Sequence, residues 1–148
     1  MSQKPASSDR PPEALRLDNQ LCFALYGAAN RMTRLYRPML DALGLTYPQY
    51  LAMLVLWEAS PRTVGALGDA LDLDSSTLTP LLKRLEAGGL VERHRDPDDE
   101  RRVIVALTDK GRALRDQAET IPEKLFCALD MPLEAVGTLR ERLKTLAK

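Results

Sequence analysis

The sequence predicts a mainly α-helical fold carrying one small β-hairpin, and three observations predict it. Apolar residues make up 45% of the chain but aromatic ones only 5%, and Leu, Ala, Arg and Glu are abundant, a composition that favours helix. Along most of the chain, apolar residues recur at alternating steps of three and four. Between Leu90 and Leu107 that rhythm gives way to two strand-like runs around a charged loop. A length of 148 residues is one domain's worth and can bury a sizeable core.

Met1 to Pro12 is polar, holds Pro5, Pro11 and Pro12, and lacks the apolar centre of a signal peptide, so residues 1–14 are expected to be a disordered arm. From Leu17 to Leu43, Leu21, Leu25, Ala28, Met32, Leu35 and Met39 form one helical stripe. Cys22, Tyr26, Ala29, Tyr36, Leu40 and Leu43 form a second stripe beside it. Two adjoining stripes exceed one contact, so this helix is expected to pack on its own domain and on a second subunit. Cys22 should then lie near the most buried place the protein can build. Pro38 should kink or restart the helix and Gly44 should end it.

Thr46-Tyr-Pro-Gln49 reads as a capping box for a helix from Tyr47 to Ala59. That helix is apolar nearly all round, the mark of a buried one. Ser60-Pro-Arg-Thr63 reads as a turn, with Thr63 capping a short helix that ends near Leu71. Asp72-Leu-Asp74 is the next turn, and Asp74 or Ser75 caps a helix through Ala87, stopped by Gly88-Gly89. Two helices so closely joined make a helix-turn-helix. In the second, Leu78, Leu81, Leu82 and Leu85 face one way, while Ser76, Thr79, Pro80 and Lys83 face the other.

The runs Leu90–Arg95 and Val103–Leu107 flank a loop of charge and proline, which makes a hairpin placed as a wing. Thr108 caps a long polar helix that Pro122 interrupts, and Thr120-Ile-Pro-Glu123 reads as a second capping box. Asp130 and Pro132 open a last helix striped by Leu133, Val136, Leu139, Leu143 and Leu146. The expectation is one winged helix-turn-helix domain over 15–148: a helical dimerisation base from 15–45 and 109–148, and a head over 46–108.

Such a head suits double-stranded operator DNA, with the second helix in the major groove and the wing in the adjacent minor groove. Ser76, Thr79 and Lys83 would touch bases or phosphates, Arg84, Arg93 and Arg95 the backbone, and Arg101 or Arg102 the minor groove. The overall charge gives no help, since 21 Lys and Arg balance 21 Asp and Glu, and the wing itself is acidic. Two distant cysteines and one histidine make no metal-site spacing, and no cofactor or catalytic motif is present. The longest apolar run, Tyr50 to Trp57, is too short for a membrane. A soluble cytoplasmic protein with reduced thiols is expected, in which a disulfide would be a signal.

The run Asp74 to Val91 resembles the recognition helix of MarR-type winged-helix regulators, and Asp98 to Gly111 resembles their wing and exit helix. Asn19-Gln-Leu-Cys22-Phe, Tyr36 and Thr46-Tyr-Pro-Gln-Tyr50 are similar more narrowly to the organic-hydroperoxide-sensing repressors of that family. The likeness spans about residues 15 to 148. It implies a homodimer that leaves operator DNA once an organic hydroperoxide oxidises Cys22, and not an enzyme. It also implies that Tyr36 and Tyr47 hydrogen-bond the reduced thiol and that Arg101 enters the minor groove. Cys127 matches the second cysteine of one subgroup, where it joins Cys22 of the other subunit.

Helix geometry adds an independent constraint. Cys22 and Tyr36 share a face, yet fourteen residues of straight helix span about 21 Å. A Tyr36 that serves Cys22 must therefore belong to an antiparallel partner, or the helix must break. Phenols supply donors to a thiolate in an apolar pocket without adding charge. Two other functions compete: a repressor released by a small aromatic acid with Cys22 structural, and a thiol peroxidase. The second lacks an arginine or threonine set beside Cys22 to polarise a peroxide, and would have no use for the head.

Overall fold

The structure is a computed structural model and describes residues 12–147. Met1 to Pro11, most of the expected arm, lie outside the described residues. The chain divides into two compact units at Arg34–Leu35.

The first unit opens with two single 3-10 turns, Glu13–Leu15 and Leu17–Asn19. Amide side chains fasten them: Asn19 Nδ2 donates to the Glu13 carbonyl at 2.9 Å, and Gln20 Nε2 to those of Ala14 and Arg16 at 2.8 and 2.9 Å. Helix α1 (Leu21–Asp41) follows, later than the apolar pattern suggests because these turns occupy its first positions. Leu21, Phe23 and Tyr26 of α1 are 61%, 48% and 66% exposed. Over this first part of α1 the apolar face is exposed among the described residues.

The second unit takes in the end of α1 and everything after it. Pro38 neither ends nor restarts α1. The helix runs on to Asp41, because Pro38 falls in its last turn and Leu40, fully buried, with Met39 packed beside it, holds that turn on the core. Gly44, at φ +68°, closes the turn that follows. Helix α2 (Tyr47–Glu58) has the expected box: Thr46 Oγ1 accepts from the Gln49 N–H at 3.4 Å, and Gln49 Oε1 from the Thr46 N–H at 2.9 Å. Its burial is one-sided, with Tyr50, Ala52, Met53 and Leu56 inside and Leu54 exposed. An apolar surface all round thus exceeds the cover that its own unit offers.

Residues Arg62–Thr63, read from sequence as part of a turn, form a short strand, β1. A strand of two residues is too short to show alternation, and its partner lies far along the chain. Helices α3 (Val64–Leu71) and α4 (Ser75–Ala87) are capped by Thr63 and Asp74. Strands β2 (Val91–Arg95) and β3 (Val103–Leu107) form the hairpin, and the antiparallel sheet has the order β1-β3-β2, with Val105 opposite both Arg62 and Arg93. Leu67, Leu78, Leu82, Leu85, Val91 and Val105 pack with Met53 and Leu56 in one core beneath the helix-turn-helix.

Helix α5 (Asp109–Ala118) is capped by Thr108, as expected, and α6 (Ile121–Leu129) follows almost at once. The second capping box does not form: Thr120 is itself helical in φ and ψ and makes no side-chain cap bond. The joint is too short to give it the extended backbone that a cap needs. Asp130 ends α6 in the left-handed conformation (φ 51°) and does not open α7 (Leu133–Leu146). Leu133, Leu139, Leu143 and Leu146 of α7 form the expected stripe, but all are exposed.

The tightest approach is at Gly111, where a Cβ would stand 2.0 Å from the Leu90 carbonyl oxygen. Gly111→Ala should lower stability by about 1–3 kcal/mol, through forced movement of backbone against backbone. Gly65→Ala, with only Thr63 Oγ1 near at 3.9 Å, should change it by less than about 1 kcal/mol. Urea unfolding of both variants checks the contrast.

Candidate nucleic-acid interface and thiol site

The face of α4 away from the core is built by its cap and its periodicity. Asp74 Oδ1 accepts from Ser76 Oγ at 2.7 Å and from the Thr77 N–H at 2.8 Å, bonds that hold its carboxyl below the usual range. Leu78, Leu81, Leu82 and Leu85 are buried, while Ser76, Pro80, Lys83 and Arg84 are exposed and Thr79 is half-buried. The Ser76 hydroxyl proton is occupied by Asp74, which leaves its oxygen as an acceptor.

The wing's charges are sorted by internal pairing. Arg93 is bound by Glu86 through Nε at 3.1 Å and Nη2 at 2.8 Å, while its N–H reaches Glu86 Oε1 at 3.1 Å. The side chain expected to serve a phosphate is thus engaged in tying β2 to α4, and its guanidinium holds the Glu86 carboxyl below the usual range. Asp96 is buried and takes Arg102 Nη2 at 2.6 Å and the Asp98 N–H at 2.9 Å. Arg95 Nη1 donates to the Glu100 carbonyl at 2.7 Å. Arg101, with a side chain 92% exposed and a contact to Asp99 at 3.2 Å, stands at the tip. Thr63, Thr79, Arg93, Arg101 and Arg102 line one open groove between α4 and the wing.

Both cysteines are free thiols and both are exposed. Cys22 is exposed in the single chain, and the burial expected for it would come with a second subunit packed on the apolar face. A helix face counts as interior only when something covers it, and among the described residues this one is exposed. Cys127 sits on the open side of α6, where Ile121 and Leu125 are the buried residues.

Tyr36 and Tyr47 do come together, and Tyr50, which residue-by-residue reading missed as part of the site, completes a cluster with them. Ring centroids are 4.9 Å apart for Tyr36–Tyr47, 5.8 Å for Tyr36–Tyr50 and 6.5 Å for Tyr47–Tyr50. Burial, aided by the neighbouring Tyr47 and Tyr50, pushes the Tyr36 phenol up to about 12. Burial raises Tyr47 as well, and Tyr50 with help from Tyr47. The three hydroxyls are therefore neutral donors at any ordinary pH. Among the described residues there is no cluster of three metal-ligating side chains, and no helix long and apolar enough to cross a membrane.

The family model described as "Transcriptional regulator SarA/Rot" matches residues 34–118. The organic hydroperoxide resistance transcriptional regulator of Bacillus subtilis is 46% identical over 132 residues, 89% of this chain and 90% of the relative. This chain belongs to the MarR-type winged-helix regulators. Among solved structures, reduced AbfR bound to DNA is similar at a TM-score of 0.74 and 40% identity, covering 91% of this chain and 94% of that one; AbfR is from Staphylococcus epidermidis. A mutant MarR of E. coli complexed with operator DNA is 28% identical at a TM-score of 0.78, over 86% of this chain and 94% of that one. The regulator thus shares both sequence and fold with proteins solved on DNA.

The tyrosine cluster carries a pH dependence. Below about pH 10, the unfolded value, all phenols are protonated in both states and its stability is complete. From there to about pH 12 the unfolded chain releases a proton that folded Tyr36 retains, so stability falls as pH rises. Urea midpoints across this range, read with tyrosinate absorbance, should fall less steeply for Tyr36→Phe than for the parent. Equal slopes would count against the burial of that phenol.

Proposed function

We propose that this regulator is a homodimeric, redox-sensing repressor that holds operator DNA while Cys22 is reduced and leaves it after an organic hydroperoxide has oxidised that thiol. The observation that carries the reading is Cys22 on an uncovered apolar helix face of a chain that also bears a winged helix-turn-helix and a three-tyrosine cluster. The similarity to an organic hydroperoxide resistance regulator supports the choice of oxidant.

A second copy would cover the exposed leucines of α1 and α7 and give the thiol an apolar wall. Since α1 is unbroken, the phenols serving Cys22 would be the partner's, and Tyr36 and Tyr47 would hydrogen-bond the thiolate. That thiolate attacks the outer oxygen of the hydroperoxide, the O–O bond breaks, and the alkoxide leaves as alcohol once protonated, giving Cys22 sulfenic acid. The thiol of the partner subunit's Cys127 then displaces the hydroxyl as water and forms the disulfide. The precedent of AbfR in a disulfide-formed state, 41% identical at a TM-score of 0.65 over 92% of this chain, supports that route. A disulfide needs Cα atoms within about 7 Å. If Cys22 and the partner's Cys127 start farther apart, closing the bond would shift α6, and with it the two reading helices, which must sit about 34 Å apart on DNA.

On the duplex, Ser76, Thr79 and Lys83 would face the major groove, with Arg84 and Arg95 at the backbone and Arg101 in the minor groove. Arg93 would reach a phosphate only with what Glu86 leaves free.

The test uses a duplex selected from random sequence by the reduced protein. One equivalent of cumene hydroperoxide should abolish its binding and give a covalently linked dimer on non-reducing electrophoresis. Cys22→Ser should stay bound under the same treatment, and its release would sink the reading. Cys127→Ser should oxidise at Cys22 without forming the linked dimer. Arg101→Ala should weaken binding and lower the salt dependence by about one phosphate contact per wing, read from affinities at several salt concentrations.

A further inference from the structure

Three consecutive carbonyls leave the end of the recognition helix, and the first turn of α5 takes all of them. Lys110 Nζ donates to Gly88 at 2.8 Å, Thr108 Oγ1 to Gly89 at 2.6 Å and the Thr108 N–H to Leu90 at 3.1 Å. Gly111 presses on the same segment, with no room for a Cβ beside the Leu90 carbonyl. The carbonyl of Gly111 in turn accepts a 2.9 Å hydrogen bond from Trp57 Nε1, across 54 residues of sequence. Trp57 meets Tyr50 edge-on at 6.4 Å and 68°, and Tyr50 lies against Tyr36 and Tyr47. Four aromatic rings and one directed hydrogen bond therefore join the phenols to the turn that fixes the recognition helix.

We propose that Trp57 is the positioning residue that couples the tyrosine cluster to the reading head: displacement of the phenols on oxidation moves Tyr50 against the indole, which carries the Gly111 carbonyl and its turn along through their hydrogen bond. The proposal rests on the peroxide-sensing reading. A half-buried indole N–H needs an acceptor, and water would serve as well. Here the acceptor is a backbone oxygen of the turn that grips Gly88 to Leu90. Close-packed rings do not yield gradually, so a shift at Tyr50 must reappear at the next contact.

Trp57→Phe keeps a ring against Tyr50 and removes the donor. The reduced variant should bind the selected duplex within about threefold of the parent. After equal Cys22 oxidation, verified by mass, its loss of affinity should be smaller than the parent's by about fivefold or more, the scale of one hydrogen bond. Release by the same factor as the parent overturns the proposal. So does loss of binding by the reduced variant, which would make Trp57 a structural prop. Trp57 is the sole tryptophan, so the parent offers a second measurement. One equivalent of cumene hydroperoxide should shift its emission in step with DNA release, and should leave Cys22→Ser unchanged. An unchanged emission while DNA is released also overturns the coupling. A parent that keeps its duplex with Cys22 demonstrably oxidised fails earlier, at the sensing reading itself.

Discussion

The seating of α5 on the three carbonyls after α4 is the constraint that the head depends on. A helix ends with backbone acceptors that its own ladder does not satisfy. Here the N–H groups of Gly88, Gly89 and Leu90 take up the last carbonyls of α4, and their own carbonyls go to Lys110 and Thr108, so the end of one helix becomes the socket for the start of another. Glycine is required on both sides of the joint: Gly89 takes φ +74°, and Gly111 lets two backbones meet where any side chain would intrude. The Glu86–Arg93 pair braces the other side of α4 against β2. Helix α4, the base of the wing and α5 are thereby tied to one another.

Elsewhere the chain is conspicuously incomplete. Leucines of α1 and α7 stand in the open, and Cys22 stands among exposed residues. Burial keeps the phenols of Tyr36, Tyr47 and Tyr50 protonated, so what they offer a nearby anion is a hydrogen bond and never a competing charge. Donors of this kind stabilise a thiolate without tying it up in a salt bridge, which preserves its nucleophilicity.

Much of this was legible in sequence because it is local. The caps at Thr46, Thr63, Asp74 and Thr108 each depend on residues within one helical turn, and the leucine face of α4 depends only on helical period. What escaped depends on distant chain. Strand β1 exists because β3 is there to pair with it, and the Trp57 bond needs Gly111. The commitment of Arg93 to Glu86 joins a helix to a strand. Thr120 shows the opposite failure: a sound local motif overruled by the short joint between α5 and α6. The exposure of Cys22 in the single chain has a related root, because an apolar stripe tells which side seeks cover and not who provides it.

The wing's inward-turned charges have a consequence for how such a protein moves among duplexes. Asp96 is folded inside with Arg102 as its counter-ion, so one acid of the wing is neutralised, while Asp98, Glu100 and Arg101 remain exposed. A protein whose cations and anions balance, and whose wing mixes exposed acids with exposed arginines, gains little from expelling counter-ions at arbitrary sequences. Residence on an arbitrary stretch of duplex is then brief, charge does little to steer encounter, and discrimination falls to fit and alignment over bulk attraction.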